Sequence, residues 1–395
     1  MTLFNPWVIL GLLASLLFAG GAGYWKGHKD ADRSAEIERM GAEIGALKWA
    51  AEQATMISKD IEAAAKRDAD RRAEAEKAGE EARGIFAKIV GAERQDVAIV
   101  PSVSVAAGIV AANMPPAARG ENVVVADMEF ASNYYPWVLL RERGYEIRTV
   151  PLSDDGVSTE AYAAAADGGT RLIAVSAVQS LNGFRTDLAS LSQVAARSGA
   201  WLFVDACQAA GAVPLDVVRD GVDFLAASSH KFLLGSRGMG YLYVRPQLID
   251  RIQPIFPGWK AARKPFEAFY GPKMDLSPTA SKLDTSLAWF AALAEQASLS
   301  LFQRFGIQAI LERNAALSRR LLDALAARGA KLRPFPEQHR STIVSVPVED
   351  AEAAMARLRA AGVVASMRAG RIRLAVHFYN FEEDMDRAAA FLAEA

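Results

Sequence analysis

Residues Trp201–Val244 read WLFVDACQAAGAVPLDVVRDGVDFLAASSHKFLLGSRGMGYLYV, and the fold is decided here. A short apolar run, Leu202 to Val204, stops at Asp205; a second, Phe224 to Ala227, stops at Ser228, Ser229, His230 and Lys231. Runs this short, bounded by polar and turn residues, suit strands buried on both faces of a sheet. Ligands of open α/β sheets gather outside the carboxyl ends of strands, so Asp205 and the Ser-Ser-His-Lys group are expected to face one crevice. Taken alone, an acid and a lysine on two strand ends are as well explained by an ordinary ion pair, which contributes little when exposed.

The whole pattern is more specific: strand-Asp-x-x-Gln, a spacer, strand-Ser-Ser-His-Lys, then the glycine-rich hairpin GSRGMGYLYV. It resembles the pyridoxal 5'-phosphate (PLP) lysine region of the class V aminotransferases, a group that includes cysteine desulfurases, isopenicillin N epimerase-like enzymes and kynureninases. The resemblance, which covers residues 75–395, implies an α/β chain of fold type I. Its large domain would hold a mostly parallel seven-stranded sheet, followed by a small C-terminal α+β domain. It makes Lys231 the Schiff-base lysine and Asp205 the carboxylate facing the pyridine nitrogen, which keeps the ring an electron sink. Gln208 would touch the ring hydroxyl, and Ser228 and His230 would help hold the phosphate.

Further matches lie on either side. In PSVSVAAG, after the strand Val97 to Val100, small residues open a helix whose free N–H groups suit an anion. The family register puts Ser104 at a phosphate-binding hydroxyl position and leaves Val105 only its backbone to offer. In DMEFASNYYPW, Phe130 takes the place of an aromatic residue that stacks on the ring; a phenyl cannot relay protons, which leaves Lys231 as the acid–base group. In QSLNGFRTDL, Ser180 rather than Asn182 falls at a polar position near the ring. KLDTSLAWFAALA resembles an element that lends a hydroxyl, here Thr285, to a neighbouring subunit's phosphate, which implies a homodimer. SMRAGRIRLAVHFYN resembles the carboxylate-binding turn, with Arg368 as the guanidinium that grips an amino-acid substrate. His377 reads as structural. No counterpart of the family's leading segment, which lines the active site, is recognisable.

Composition bounds the alternatives. The chain has 395 residues, 51% of them hydrophobic, with 45 basic and 46 acidic side chains and no basic block, so nothing favours nucleic acid. No metal-ligand motif stands out. The single cysteine, Cys207, excludes an internal disulfide framework. It sits in the Asp-x-x-Gln turn rather than on a loop, which disfavours a desulfurase.

The N-terminal part reads differently. Pro6 to Trp25 carry no charge and precede Lys26, His28 and Lys29; such a run is long enough for a membrane span, a signal peptide being the rival. Basic residues on its carboxyl side only place the remainder in the cytoplasm, giving a single-pass membrane-anchored protein with a cytoplasmic catalytic domain. Ile37, Met40, Ile44, Leu47, Ala51 and Ala54 step by three and four, which suits a coiled coil or a solvated spacer helix. A short span before a charged helix also looks like the inner-membrane spanin of phage lysis systems. The expected organisation is a transmembrane segment over 1–28, a long charged helix over 29–74, a PLP-binding large domain over 75–287, and a linking helix with the small domain over 288–395. An amino acid entering such a site would undergo transamination, racemisation or β-elimination. The competing reading is a non-enzymatic membrane protein with a degenerate PLP fold.

Overall fold

The structure is a computed structural model that describes residues 33–393 except 154, 155 and 333. Tertiary contacts divide the chain between Glu74 and Ala75. The first element, helix α1 (Arg33–Val90), crosses that division. In the described part up to Glu74 the chain is helical, Ile44 is 54% exposed and Met56, Ile57 and Ile61 are also exposed, and nothing among the described residues supports the expected coiled coil.

The second unit is built on a seven-stranded sheet. Its strands are β1 (Val97–Val100), β2 (Asn122–Ala126), β3 (Glu146–Val150), β4 (Thr170–Ser176), β5 (Trp201–Asp205), β6 (Phe224–Ser228) and β7 (Gly240–Val244). They lie in the order β1-β7-β6-β5-β4-β2-β3. All neighbours from β6 to β3 are parallel, and β7 runs antiparallel to both β6 and β1. The expected mostly parallel seven-stranded sheet is therefore present. Side chains alternate between its faces with period two. Val124, Ile173, Val175, Leu202, Val204 and Leu225 enter one apolar core, and Val123, Val125, Leu172, Phe203, Phe224 and Ala226 enter the other. Both faces are covered, which is why the strands read as continuous apolar runs. β3, at the edge, is the least buried.

Helices complete the layers. α2 (Val103–Ala112) lies on the second face, next to a one-turn helix α3 (Tyr135–Val138). α4 (Thr159–Ala165) and α5 (Leu188–Ser198) pack on the first, joined by the end of α1. α5 shows how its sequence sets its ends: Asp187 caps it by accepting from Ser190 N–H, and Gly199 ends it with a φ of 69° that L-residues adopt reluctantly. Near the end of α1, Arg83 is buried and donates to Asp284 (2.5 Å) and to the Val97 carbonyl, while Asp284 accepts from Ile99 N–H. This cluster ties α1 to β1 and to the turn before α6 (Trp289–Phe305).

α7 (Ile307–Ala327) leads to a three-stranded antiparallel sheet, β8 (Ile343–Pro347), β9 (Ser366–Arg368) and β10 (Arg371–Ala375), in the order β8-β10-β9. α8 (Ala351–Ala360) and α9 (Glu382–Ala393) cover it, with Leu317, Leu321, Leu358, Ile372, Leu374 and Leu392 in its core. The C-terminal α+β arrangement matches expectation; α9 was not anticipated.

The membrane-anchored placement is corrected. Among the described residues no helix is long and apolar enough to cross a membrane, and Pro6–Trp25, on which that expectation stood, lies outside the described residues. The spanin likeness rests largely on the same segment and finds no support.

Candidate active site

Four parallel strands end at one edge of the large sheet, and each delivers a polar residue there. Ser176 ends β4, Asp205 ends β5 and pairs in register with Ser176, and Ser228 ends β6. The loop after β2 brings Glu129 and Phe130 to the same edge: Glu129 accepts from Ser176 N–H (2.7 Å), Ser176 Oγ (2.6 Å) and Gln179 Nε2 (2.7 Å). Burial raises the Glu129 carboxyl against these donors. With this loop fixed, the Phe130 ring stays half exposed, and Lys231 Nζ stands over it, 5.1 Å from its centroid.

Asp205 is 4% exposed and accepts from Cys207 N–H at 2.8 Å. No cation lies within ion-pair distance of it among the described residues. Burial pushes its carboxyl up, opposed by the Cys207 bond and then by the Lys231 charge. A buried acid without a counter-ion is costly, and a protonated ring nitrogen is a group that would satisfy it. The residues present thus fit PLP. Cys207 is itself buried; its Sγ accepts from Ser228 N–H, and burial pushes the thiol up to about 12. It is held as an inert, neutral side chain.

The other expected residues divide into two groups. Gln208 is buried and donates to Ser180 Oγ at 3.4 Å. His230, adjoining Lys231, is half-buried, and burial lowers its imidazole, with the nearby Arg237 and Lys231 charges adding to the effect. Ser104 opens α2 exposed, its Oγ 3.0 Å from Ser102 Oγ. The Val105 N–H, expected to be offered to an anion, instead donates to Ser102 Oγ, the cap of α2. Thr285 is half-buried beside Asp284, with no hydrogen bond joining it to the Lys231 group.

Arg368 departs furthest from expectation. At the end of β9 it is exposed and, among the described residues, donates only to the carbonyl of its neighbour Met367. A different guanidinium reaches the strand edge. Arg373, two residues into β10, donates to Ser180 O (2.9 Å) and Ser180 Oγ (3.2 Å), and its Nε is buried without a partner among the described residues. Period two was the available signal: Ile372 and Leu374 fill the small domain's core, so Arg371 and Arg373 share the opposite face.

A mostly parallel sheet with a lysine, a buried acid lacking an ion-pair partner among the described residues and an aromatic ring at one edge suits a fold type I PLP enzyme. The family model "Aminotransferase class-V" matches residues 50–387, and the chain belongs to that family. It is 33% identical over 310 residues to the uncharacterized aminotransferase YcbU of Bacillus subtilis (strain 168), covering 78% of this chain and 81% of that protein. It is 29% identical over 333 residues to an isopenicillin N epimerase of Streptomyces clavuligerus, covering 78% and 82%. Cysteine desulfurases are also among the similar sequences. A solved structure of a cysteine desulfurase from Thermococcus onnurineus NA1 shares the fold (TM-score 0.71, 22% identity, 81% of this chain and 84% of that one). The cofactor of this family is PLP, and nothing in these comparisons favours the non-enzymatic reading.

Proposed function

We propose that the chain transaminates an α-amino acid, with Lys231 as both the amine that carries PLP and the single group that moves the substrate's α-proton. When bound, PLP supplies an aldehyde for the amine and a ring that accepts an electron pair from the substrate α-carbon. The observation that carries this reading is that Lys231, standing over Phe130, and the buried Asp205, without an ion-pair partner among the described residues, stand at the ends of neighbouring strands at one sheet edge. In this assignment Asp205 holds a proton on the ring nitrogen and Phe130 stacks on the ring. Gln208 approaches the ring hydroxyl. Ser104, Ser228 and His230 hold the phosphate.

For the substrate carboxylate we assign Arg373 in place of Arg368. Its fork points at Ser180, beside Gln208, and its buried Nε has a donor to spare; a carboxylate accepts two parallel bonds from such a fork. With the carboxylate held there, the α-proton is a matter of one base. Racemisation with opposite-face proton return calls for a second acid–base group, and the candidates are poor: Phe130 has no proton to give and Cys207 is a buried thiol pushed up to about 12. The same burial removes Cys207 as a sulfur acceptor. Thr285 is the one assignment that requires a second copy of the chain.

Two measurements test this. Borohydride reduction of PLP-loaded protein should leave the cofactor on the Lys231 peptide. A single turnover with an L-amino acid, without acceptor, should then release the matching keto acid. Recovery of the amino acid with inverted configuration, or labelling of another lysine, would replace this reading.

A further inference from the structure

Behind the turn that follows Lys231 lies a carboxyl with no part in the chemistry above. Glu295, on α6, is 0% exposed. Its Oε1 accepts from Tyr241 Oη at 3.1 Å, whereas Oε2 has no hydrogen-bond partner among the described residues. Oε2 lies against Gly235 so closely that a Cβ there would collide with it, and would also meet Ser229 Cβ. One turn along the same helix face, Ser298 Oγ donates to the Leu234 carbonyl at 2.8 Å. Leu234 holds a φ of 60°, which a leucine adopts only under constraint from its surroundings. The turn is closed by Leu234 N–H donating to the Lys231 carbonyl and Gly235 N–H donating to the Ser229 carbonyl. Ser229 Oγ has two carbonyls in reach, Ser236 O (2.9 Å) and Met239 O (2.8 Å), but a single proton to give. Its lone pairs remain able to accept.

We propose that Glu295 is a positioning residue for Lys231, held as the neutral acid so that its Oε2 proton is donated to Ser229 Oγ and locks the turn that carries the lysine. The inference rests on Lys231 being the PLP lysine. An ionised carboxylate buried with one bond is expensive, whereas the acid form carries no charge and gives Oε2 a proton to offer the neighbouring Ser229 hydroxyl. Burial pushes Glu295 up to about 7, against the Ser229 and Tyr241 hydroxyls. The groups facing it agree. β7 supplies the Tyr241 phenol, kept neutral by burial and stacked on Phe86 of α1 at 4.1 Å. The turn supplies Ser229 and Gly235. From α1, Arg83 acts on Tyr241 but is itself paired with Asp284 and Glu80. Among the described residues no cation is ion-paired with Glu295. As pH rises through neutrality, Glu295 loses the proton that holds Ser229, and the turn loosens.

The test uses the full chain as wild type, Glu295→Gln and Tyr241→Phe, with PLP bound and with PLP stripped. Visible absorbance of the loaded wild type, titrated from about pH 6 to about pH 8, should change with a midpoint near 7. Glu295→Gln, whose amide donates to Ser229 at every pH, should keep the low-pH spectrum throughout. Tyr241→Phe removes a donor from the ionised form and should move the midpoint up. In stripped protein, the infrared carbonyl band of a protonated carboxyl should fade over the same range and be absent from Glu295→Gln. An unchanged transition in Glu295→Gln, an unmoved midpoint in Tyr241→Phe, or no such band in the wild type at about pH 6 overturns the proposal. A pH-sensitive band in stripped protein that shows no absorbance after PLP is added would instead overturn the cofactor-lysine assignment, and the positioning role with it.

Discussion

His377 Nε2 lies 3.0 Å from the carbonyl oxygen of Phe232, the residue that follows Lys231. The other ring nitrogen accepts from Phe378 N–H at 2.9 Å, so Nε2 carries the proton and the bond to Phe232 has a fixed direction. The ring also stacks on Phe232 and on Tyr379. Arg373 lies on the same run of chain, so one short segment addresses Ser180 at one end and the lysine turn at the other.

His377→Phe should keep the stacking and lose the donor. Leaving the Phe232 carbonyl unsatisfied costs about 1–3 kcal/mol, read as a lower urea midpoint at unchanged slope. Burial lowers the imidazole below its ordinary 6.5, so the folded state binds fewer protons than the unfolded chain. The contribution of His377 is therefore complete above 6.5 and lost as pH falls through the lowered folded value. Wild-type stability should drop more steeply than that of His377→Phe below 6.5; parallel curves would show that the ring is not titrating in this way.

Asp205→Asn should move stability and turnover in opposite directions. The carboxyl is raised by burial, so its ionised form disfavours the fold, and the amide should unfold at a higher temperature near neutral pH. PLP should still bind, but turnover should fall by several orders of magnitude, because an unprotonated ring is a poor electron sink. Near wild-type turnover would reduce Asp205 to a structural role.

Arg373→Lys and Arg368→Lys separate the two arginines. Lysine cannot reproduce a bidentate fork, so Arg373→Lys should lose about 2–4 kcal/mol of transition-state binding, roughly 30- to 1000-fold in kcat/KM, with PLP binding retained. Arg368→Lys changes an exposed residue and should stay within about 0.5 kcal/mol in both activity and stability. The reverse outcome would return the carboxylate site to Arg368.

Asp284→Asn should be strongly destabilising. It removes the buried one of the two carboxylates paired with Arg83, leaving only Glu80, and weakens the acceptor of Ile99 N–H, at a cost toward the lower end of about 3–5 kcal/mol. The double replacement Arg83→Met with Asp284→Leu should recover part of that loss in equilibrium unfolding. A single variant within about 1 kcal/mol of wild type would mean that water reaches the guanidinium.

The sheet was legible because its strands are buried on both faces and end abruptly at polar residues, as at Val204–Asp205 and Ala227–Ser228. Lys231, Asp205 and Phe130 follow from those endings together with the family pattern. Arg373, which we propose in place of Arg368, is harder to read because the turn Met367–Gly370 draws attention to Arg368, whereas the alternation in Arg371–Ala375 sets Arg371 and Arg373 opposite the small-domain core. Glu295 and Ser298 stand within an apolar helix, AALAEQASLSLF, where an acid three residues from a serine marks a shared face. What they face depends on the fold of the hairpin, and no local pattern reports it. α9 begins with Glu382, Glu383 and Asp384, a helix-start signal passed over in favour of the strand before it.

The pairing of β1 with β7 sets an order of events during synthesis. β1 emerges from the ribosome first among the seven strands, yet its partner in the sheet is the last to appear, with β2 to β6 made in between. Until Tyr243 can meet Val97, the main-chain groups of β1 have no ladder, and the hairpin bearing Lys231 lacks its outer support. Pairing over such a separation closes slowly and leaves apolar edges open to other nascent chains. The sheet edge that carries Lys231 is thus completed only at the end of folding, after the whole large sheet has been translated, and expression at low temperature or with a chaperone should raise the yield of loaded protein more than extra PLP does.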